Sequence, residues 1–126
     1  ASIAPKFGVL QIDPGTVSQD PDVVEALIND PLAHSGKITA RLSAEMLKAM
    51  QSVAAGAGKI TLPILILQGT ADKLVEPGGA QMLYDAVSSQ DKTLEIYEGF
   101  YHEVFNEPGR EQVLTDMQAW LDARLV

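Results

Sequence analysis

Apolar positions change their spacing along the chain, and each change marks an element. From Asp20 to Asp30, Val23, Val24, Leu27 and Ile28 recur at helical spacing. Asp20-Pro21-Asp22 offers an N-cap followed by proline at the first helical position. Asp30-Pro31 predicts the stop, because a residue before proline resists the helical region. Residues 1–20, punctuated by Pro5, Gly8, Pro14 and Gly15, read as an irregular arm. After the polar turn HSGK, Ile38, Leu42, Met46, Leu47 and Met50 predict a second helix, ended by Gly56 or Gly58.

The texture then becomes that of a sheet. In "ITLPILILQG" the run 62–67 is nearly all apolar and is bounded by Gly69. Such a run predicts a strand buried on both faces, as in a parallel sheet covered by helices. A polar loop follows, then a helix around 77–88 carrying Ala80, Leu83, Tyr84 and Val87, then a second strand in "KTLEIYEG". A last amphipathic helix is predicted from about 109 to 124, with Val113, Leu114, Met117, Trp120 and Leu121 on its face. This order predicts an α/β fold in which the two strands are parallel neighbours. A strand as apolar as 62–67 needs partners on both edges, and two parallel strands alone leave one edge open to aggregation. The sheet is therefore expected to belong to a larger one, completed by a further segment or another chain.

Composition narrows the partners more than the fold. The 126 residues are 46% hydrophobic, enough for one small domain with a core. A net charge of −8 argues against nucleic acid or an anionic membrane surface. Cysteine is absent, so neither a disulfide framework nor a thiolate metal site is expected, and a reducing, cytoplasmic compartment is compatible. No apolar run approaches the roughly 20 residues of a membrane-spanning helix. The opening ASIAPKFG lacks both an initiator methionine and a signal-peptide layout, which suggests a processed or cleaved piece.

Two side chains fall at one edge of the expected sheet. Asp72 follows Leu67 by five residues, and His102 follows Tyr97 by five. In open parallel sheets, sites form beyond the carboxyl ends of the strands. A right-handed crossover brings both loops to the same edge, and the 30-residue separation is what strand, helix and strand require. A carboxylate there can hold one imidazole nitrogen and leave the other free to take a proton. Taken singly, a loop Asp is commonly an Asx turn or helix cap, and a loop His a satisfied polar residue. Spacing by itself leaves both readings open.

"PILILQGTADKLVEP", followed by "SQDKTLEIYEGFYHEVFNEP", resembles the C-terminal part of the α/β-hydrolase superfamily, in particular its monoacylglycerol lipase and lysophospholipase branch. The resemblance implies that Asp72, in a QG-[ST]-x-D setting, is the triad acid. It implies likewise that His102, in a Y-x-G-x-x-H-E setting, is the triad base. "NDPLAHSGKITARLSAEML" is similar to the end of that branch's cap region, which covers the site and shapes an acyl pocket. The division implied is residues 1–58 as cap end and connecting helices, and 59–126 as the C-terminal βαβα part of the core.

The family's nucleophile is absent from this pattern. It sits in G-x-S-x-G on a strained strand-to-helix turn, in chain order Ser, acid, His. No such motif occurs in the chain. Ser35 in "AHSGK" fails as a substitute, because Ala33 and Lys37 stand where glycines are needed and no apolar strand precedes it. The resemblance thus implies a partner: an N-terminal half of the same hydrolase, carrying the elbow and the oxyanion-hole donors. With it, the expected activity is hydrolysis of a small lipid ester; the chain alone is expected to be inactive. A superfamily member with an Asp nucleophile, of the epoxide hydrolase or dehalogenase kind, and a non-catalytic binding or assembly half are the alternatives.

The remaining candidates divide between chemistry and packing. Leu74 and Val75 are candidate substrate-binding residues lining the acyl pocket, or pack their loop against the last helix. Phe100 and Tyr101 either shield the His–Asp pair or anchor the loop, and Glu103 reads as a surface or helix-proximal acid. Met46 and Met50 suit an adaptable apolar groove, though cap-to-body packing fits their helical spacing better. His34 and His102 lack metal-ligand spacing with any carboxylate pair. Gly78-Gly79 lacks the surroundings of a phosphate loop, so neither metal nor cofactor is expected.

Overall fold

The computed structural model describes residues 6–34 and 36–125; Pro5 and Ser35 lie outside them. In chain order the elements are β1 (Gly8–Leu10), α1 (Pro21–Asn29), β2 (Ile38–Thr39), α2 (Ala40–Gly56), β3 (Ile64–Gly69), α3 (Gly78–Ala86), β4 (Lys92–Tyr97) and α4 (Arg110–Asp122).

The predicted helix signals act where they stand. Asp20 accepts from the Asp22 amide at 3.0 Å with Pro21 at the first helical position, a cap of a kind worth about 1 kcal/mol. Helix α1 stops at Asn29, and Asp30 is extended before Pro31. Helix α2 begins later than its apolar pattern: Thr39 caps it by accepting from the Leu42 amide, while Ile38 lies in β2. The arm is not wholly irregular either. Gly8 and Leu10 pair antiparallel with Thr39 and Ile38, a ladder too short to impose alternation on the sequence.

The C-terminal part forms the predicted βαβα unit. Strands β3 and β4 are parallel and in register, from Ile64 opposite Lys92 to Gly69 opposite Tyr97. The first strand starts at Ile64, not Leu62, because Pro63 has no N–H to give a ladder. Among the described residues these two strands form a sheet of their own, and β3 pairs on one edge only. Its residues Ile64 to Gln68 are accordingly half-buried, not enclosed on both faces.

Helix α4 closes one side of this unit. Val113 is fully buried against Tyr97 and Val104, with Leu67 and Phe100 packed around them. The Tyr97 hydroxyl donates to Asp116 at 3.1 Å, and the Trp120 indole N–H donates to the Thr93 hydroxyl at 3.1 Å. Arg124, stacked on Trp120, binds the Asp91 carboxylate at the start of β4. Leu114 and Leu121, expected on the inward face, remain exposed, as do Leu42, Met46, Leu47 and Met50 of α2. No described helix is long and apolar enough to cross a membrane.

Candidate active site

Because β3 and β4 are in register, they end together, at Gly69 and Tyr97. Asp72 lies three residues beyond the first end and His102 five beyond the second. The loops that carry them are bonded to each other. The Thr70 amide donates to the Tyr97 carbonyl, the Ala71 amide to the Phe100 carbonyl, and the Gly99 amide to the Thr70 hydroxyl at 2.8 Å.

Two glycines make this approach possible. A Cβ on Gly69 would overlap the Phe100 carbonyl and lie 2.6 Å from the Tyr101 carbonyl oxygen. Gly99 turns the chain out of β4 at φ +78°, in the region glycine enters without strain. Farther on, Phe100 stacks on Tyr97 with ring centroids 5.5 Å apart, so it anchors the loop. Tyr101 is held from the other loop: Lys73 donates to its hydroxyl at 2.6 Å and lies over its ring.

Within that frame, His102 Nδ1 meets Asp72 Oδ2 at 2.9 Å. The carboxylate is almost wholly covered, with 2% of its side chain exposed, whereas the imidazole is 38% exposed. Asp72 Oδ1 accepts from the amides of Leu74 at 2.8 Å and Val75 at 3.0 Å, and Oδ2 also accepts from Gln68 Nε2 at 3.1 Å. Burial pushes this carboxyl up, but the bonds from His102, the Val75 and Leu74 amides and Gln68 outweigh it, leaving the group below its ordinary value. Asp72 is thus an acceptor at neutral pH. It fixes the Nδ1–H tautomer of His102, and Nε2, with no hydrogen-bond partner among the described residues, is left to exchange a proton.

Asp72 also makes the Asx-type loop bonds that a packing role would give it, so the structural and chemical readings of this residue coexist. Leu74, half-buried, and Val75, 43% exposed, contribute their backbone amides to the site. Glu103 starts the 3₁₀ turn Val104–Asn106 and accepts from Asn106 Nδ2. His34 stands apart on its own turn, near the Lys37 carbonyl. Gln68 was not anticipated; it sits four residues before Asp72 and is the last side chain of β3 before Gly69. Among the described residues no group of three or more His, Asp or Glu side chains is arranged to hold a metal ion.

Residues 1–109 match the family described as serine aminopeptidase, S33. The chain is 39% identical over 123 residues to a monoacylglycerol lipase of Mycolicibacterium smegmatis, covering 98% of this chain and 44% of that protein. It is 37% identical over 114 residues to a caffeoylshikimate esterase of Arabidopsis thaliana, covering 88% of this chain and 34% of that protein. The crystal structure of Paleococcus ferrophilus monoacylglycerol lipase superposes with a TM-score of 0.85 at 33% identity, covering 95% of this chain and 47% of the other. The chain therefore spans less than half the length of each of these relatives.

Proposed function

Because this chain belongs to the serine aminopeptidase, S33, family and has part of an α/β-hydrolase fold of the monoacylglycerol lipase branch, we propose that it supplies the acid and base of a serine carboxylic-ester hydrolase. The observation that carries this reading is the 2.9 Å bond between Asp72 and His102 at the matched ends of adjacent parallel strands. The nucleophile and oxyanion donors then belong to an N-terminal portion of the same hydrolase. In this division residues 1–58 end the cap and 59–126 complete the core.

The reaction follows from the tautomer. His102 Nε2 takes the proton from a serine hydroxyl as that oxygen attacks the ester carbonyl, and Asp72 stabilises the resulting imidazolium. The proton passes to the departing alcohol, and Nε2 then deprotonates the water that releases the acid. Ester cleavage is favoured over the peptide cleavage in the family's name because relatives at 39% and 37% identity are a lipase and an esterase. A small lipid ester, with an apolar acyl chain lined by Leu74 and Val75, is the substrate class proposed, and the cytoplasm the compartment. A base acting on its own contributes only about 10²–10⁴-fold, so this chain by itself is expected to show no significant esterase activity.

The test is to add the N-terminal portion. The complete protein should hydrolyse a monoacylglycerol and be labelled by a fluorophosphonate at a serine in G-x-S-x-G; the isolated chain should do neither. Hydrolysis of an epoxide or haloalkane without labelling would place an Asp at the elbow instead. A complete protein inert towards all three would leave a binding or assembly role.

A further inference from the structure

The two amides flanking His102 are both held by groups from outside the Asp72 loop. The Glu103 amide donates to the Val17 carbonyl at 3.0 Å, and the Tyr101 amide donates to Glu107 Oε2 at 2.9 Å. Glu107 is 1% exposed and is the largest fully buried charged side chain described. Its carboxylate also receives the Gln19 amide at 2.6 Å on Oε1 and Gln19 Nε2 at 2.7 Å on Oε2. Gln19 Nε2 in turn reaches the Gly99 carbonyl, and the buried Ser18 hydroxyl donates to the Asn106 carbonyl, both at 2.8 Å. Residues 17–19, just before α1, thereby grip the segment 99–107 from one end to the other, across 80 to 88 residues of sequence.

A buried carboxylate facing three N–H donors is a costly thing to place unless each bond is made. Burial raises this carboxyl, and the bonds from Tyr101 and Gln19 bring it below its ordinary value, so Glu107 is charged in the fold. The Glu103 carboxylate, by contrast, accepts from Asn106 Nδ2 within its own turn.

We propose that Glu107, bridged to Gln19, is a positioning residue that sets the direction of His102 by fixing the Tyr101 amide, tying the base to the segment that leads into α1. This rests on the reading of Asp72 and His102 as acid and base. It predicts that changes in residues 17–19 reach the chemistry through the histidine and not through substrate affinity.

The experiment uses the complete hydrolase. Glu107→Gln keeps the side chain's shape but turns an NH₂ group towards amide donors. It should lower kcat about 10- to 100-fold, the scale of a displacement of roughly 1 Å in a catalytic group, with KM within about twofold. The low-field proton resonance of the His102 Nδ1–H···Asp72 bond should broaden or vanish. Gln19→Ala, on the exposed side of the bridge, should give the same pattern more weakly, and it stays informative if Glu107→Gln does not fold. A lowered melting temperature with wild-type kcat and an intact resonance would reduce Glu107 to packing and overturn the proposal. Failure of the underlying reading looks different: His102→Ala would then leave turnover of the complete protein intact.

Discussion

Gly69 lies so close to Phe100 that a single methyl group on it would occupy the space of the Phe100 carbonyl. This contact joins the end of β3 to the loop of His102, and the Ala71 amide bonds that same carbonyl. Gly69→Ala must therefore push the two loops apart. The expected outcome is a loss of about 1–3 kcal/mol in stability of the complete protein and about 10²-fold in turnover. Denaturant unfolding and ester kinetics check it, and unchanged kinetics would mean that loop spacing does not govern the pair.

Asp72→Asn separates the carboxylate's charge from its shape. An amide can still accept from the Leu74 and Val75 amides, so the loop should persist. It would no longer enforce the Nδ1–H tautomer of His102, and turnover in the complete enzyme should fall by roughly 10⁴-fold. A variant with near-normal ester hydrolysis would remove Asp72 from the catalytic role.

How far the sequence alone reached can be read from these same residues. The meeting of Asp72 and His102 and the parallel strands beneath them were legible, because strand-end position and helical spacing are local patterns. Gln19 and Glu107 were not, since their contacts span 80 and 88 residues, and Gln68 was not because its bond to Asp72 depends on the turn after β3, which no periodicity encodes. Glu107, in "NEPG", looks like an ordinary polar residue ahead of a helix. The β1–β2 pairing was hidden for the opposite reason: a ladder so short demands almost nothing of its residues.

The depressed carboxyl of Asp72 has a signed consequence for stability. A group whose folded value lies below its unfolded one stabilises the fold above the ordinary carboxylate value, about 3.9, and loses that contribution as pH falls through the lower folded value. The melting-temperature difference between wild type and Asp72→Asn should thus be largest near neutrality and shrink on acidification below about pH 4. A difference independent of pH would show that the bonds to Asp72 do not depend on its charge.

Val113 is the best single test of how α4 supports the site, because it is fully buried between Tyr97 and Val104. Val113→Ala deletes two methyl groups from that contact. Transfer and cavity terms together predict a loss of about 2 kcal/mol. Since Val104 follows His102 by two residues, the variant should also raise hydrogen exchange in the 99–107 segment. Exchange confined to α4 would uncouple the helix from the loop.

Exposed apolar surface predicts the behaviour of the chain by itself. Leu47, Met50 and Val53 of α2 are 59%, 62% and 55% exposed, and Leu62, just before β3, is 76% exposed. Strand β3 meanwhile presents one edge without a ladder among the described residues. A strand edge with its N–H and C=O groups open recruits other strands, and an apolar helix face of this kind marks a contact surface. Both features are met if the N-terminal portion supplies the next strand and the surface under α2. The isolated chain should therefore elute as polydisperse assemblies in size-exclusion chromatography, whereas the two portions together should give a single discrete species. Chemical cross-links should then run from β3 and α2 to the added portion. A monodisperse isolated monomer with a dispersed NMR spectrum would show instead that this surface is stable in water, and would favour an independent binding module over half of an enzyme.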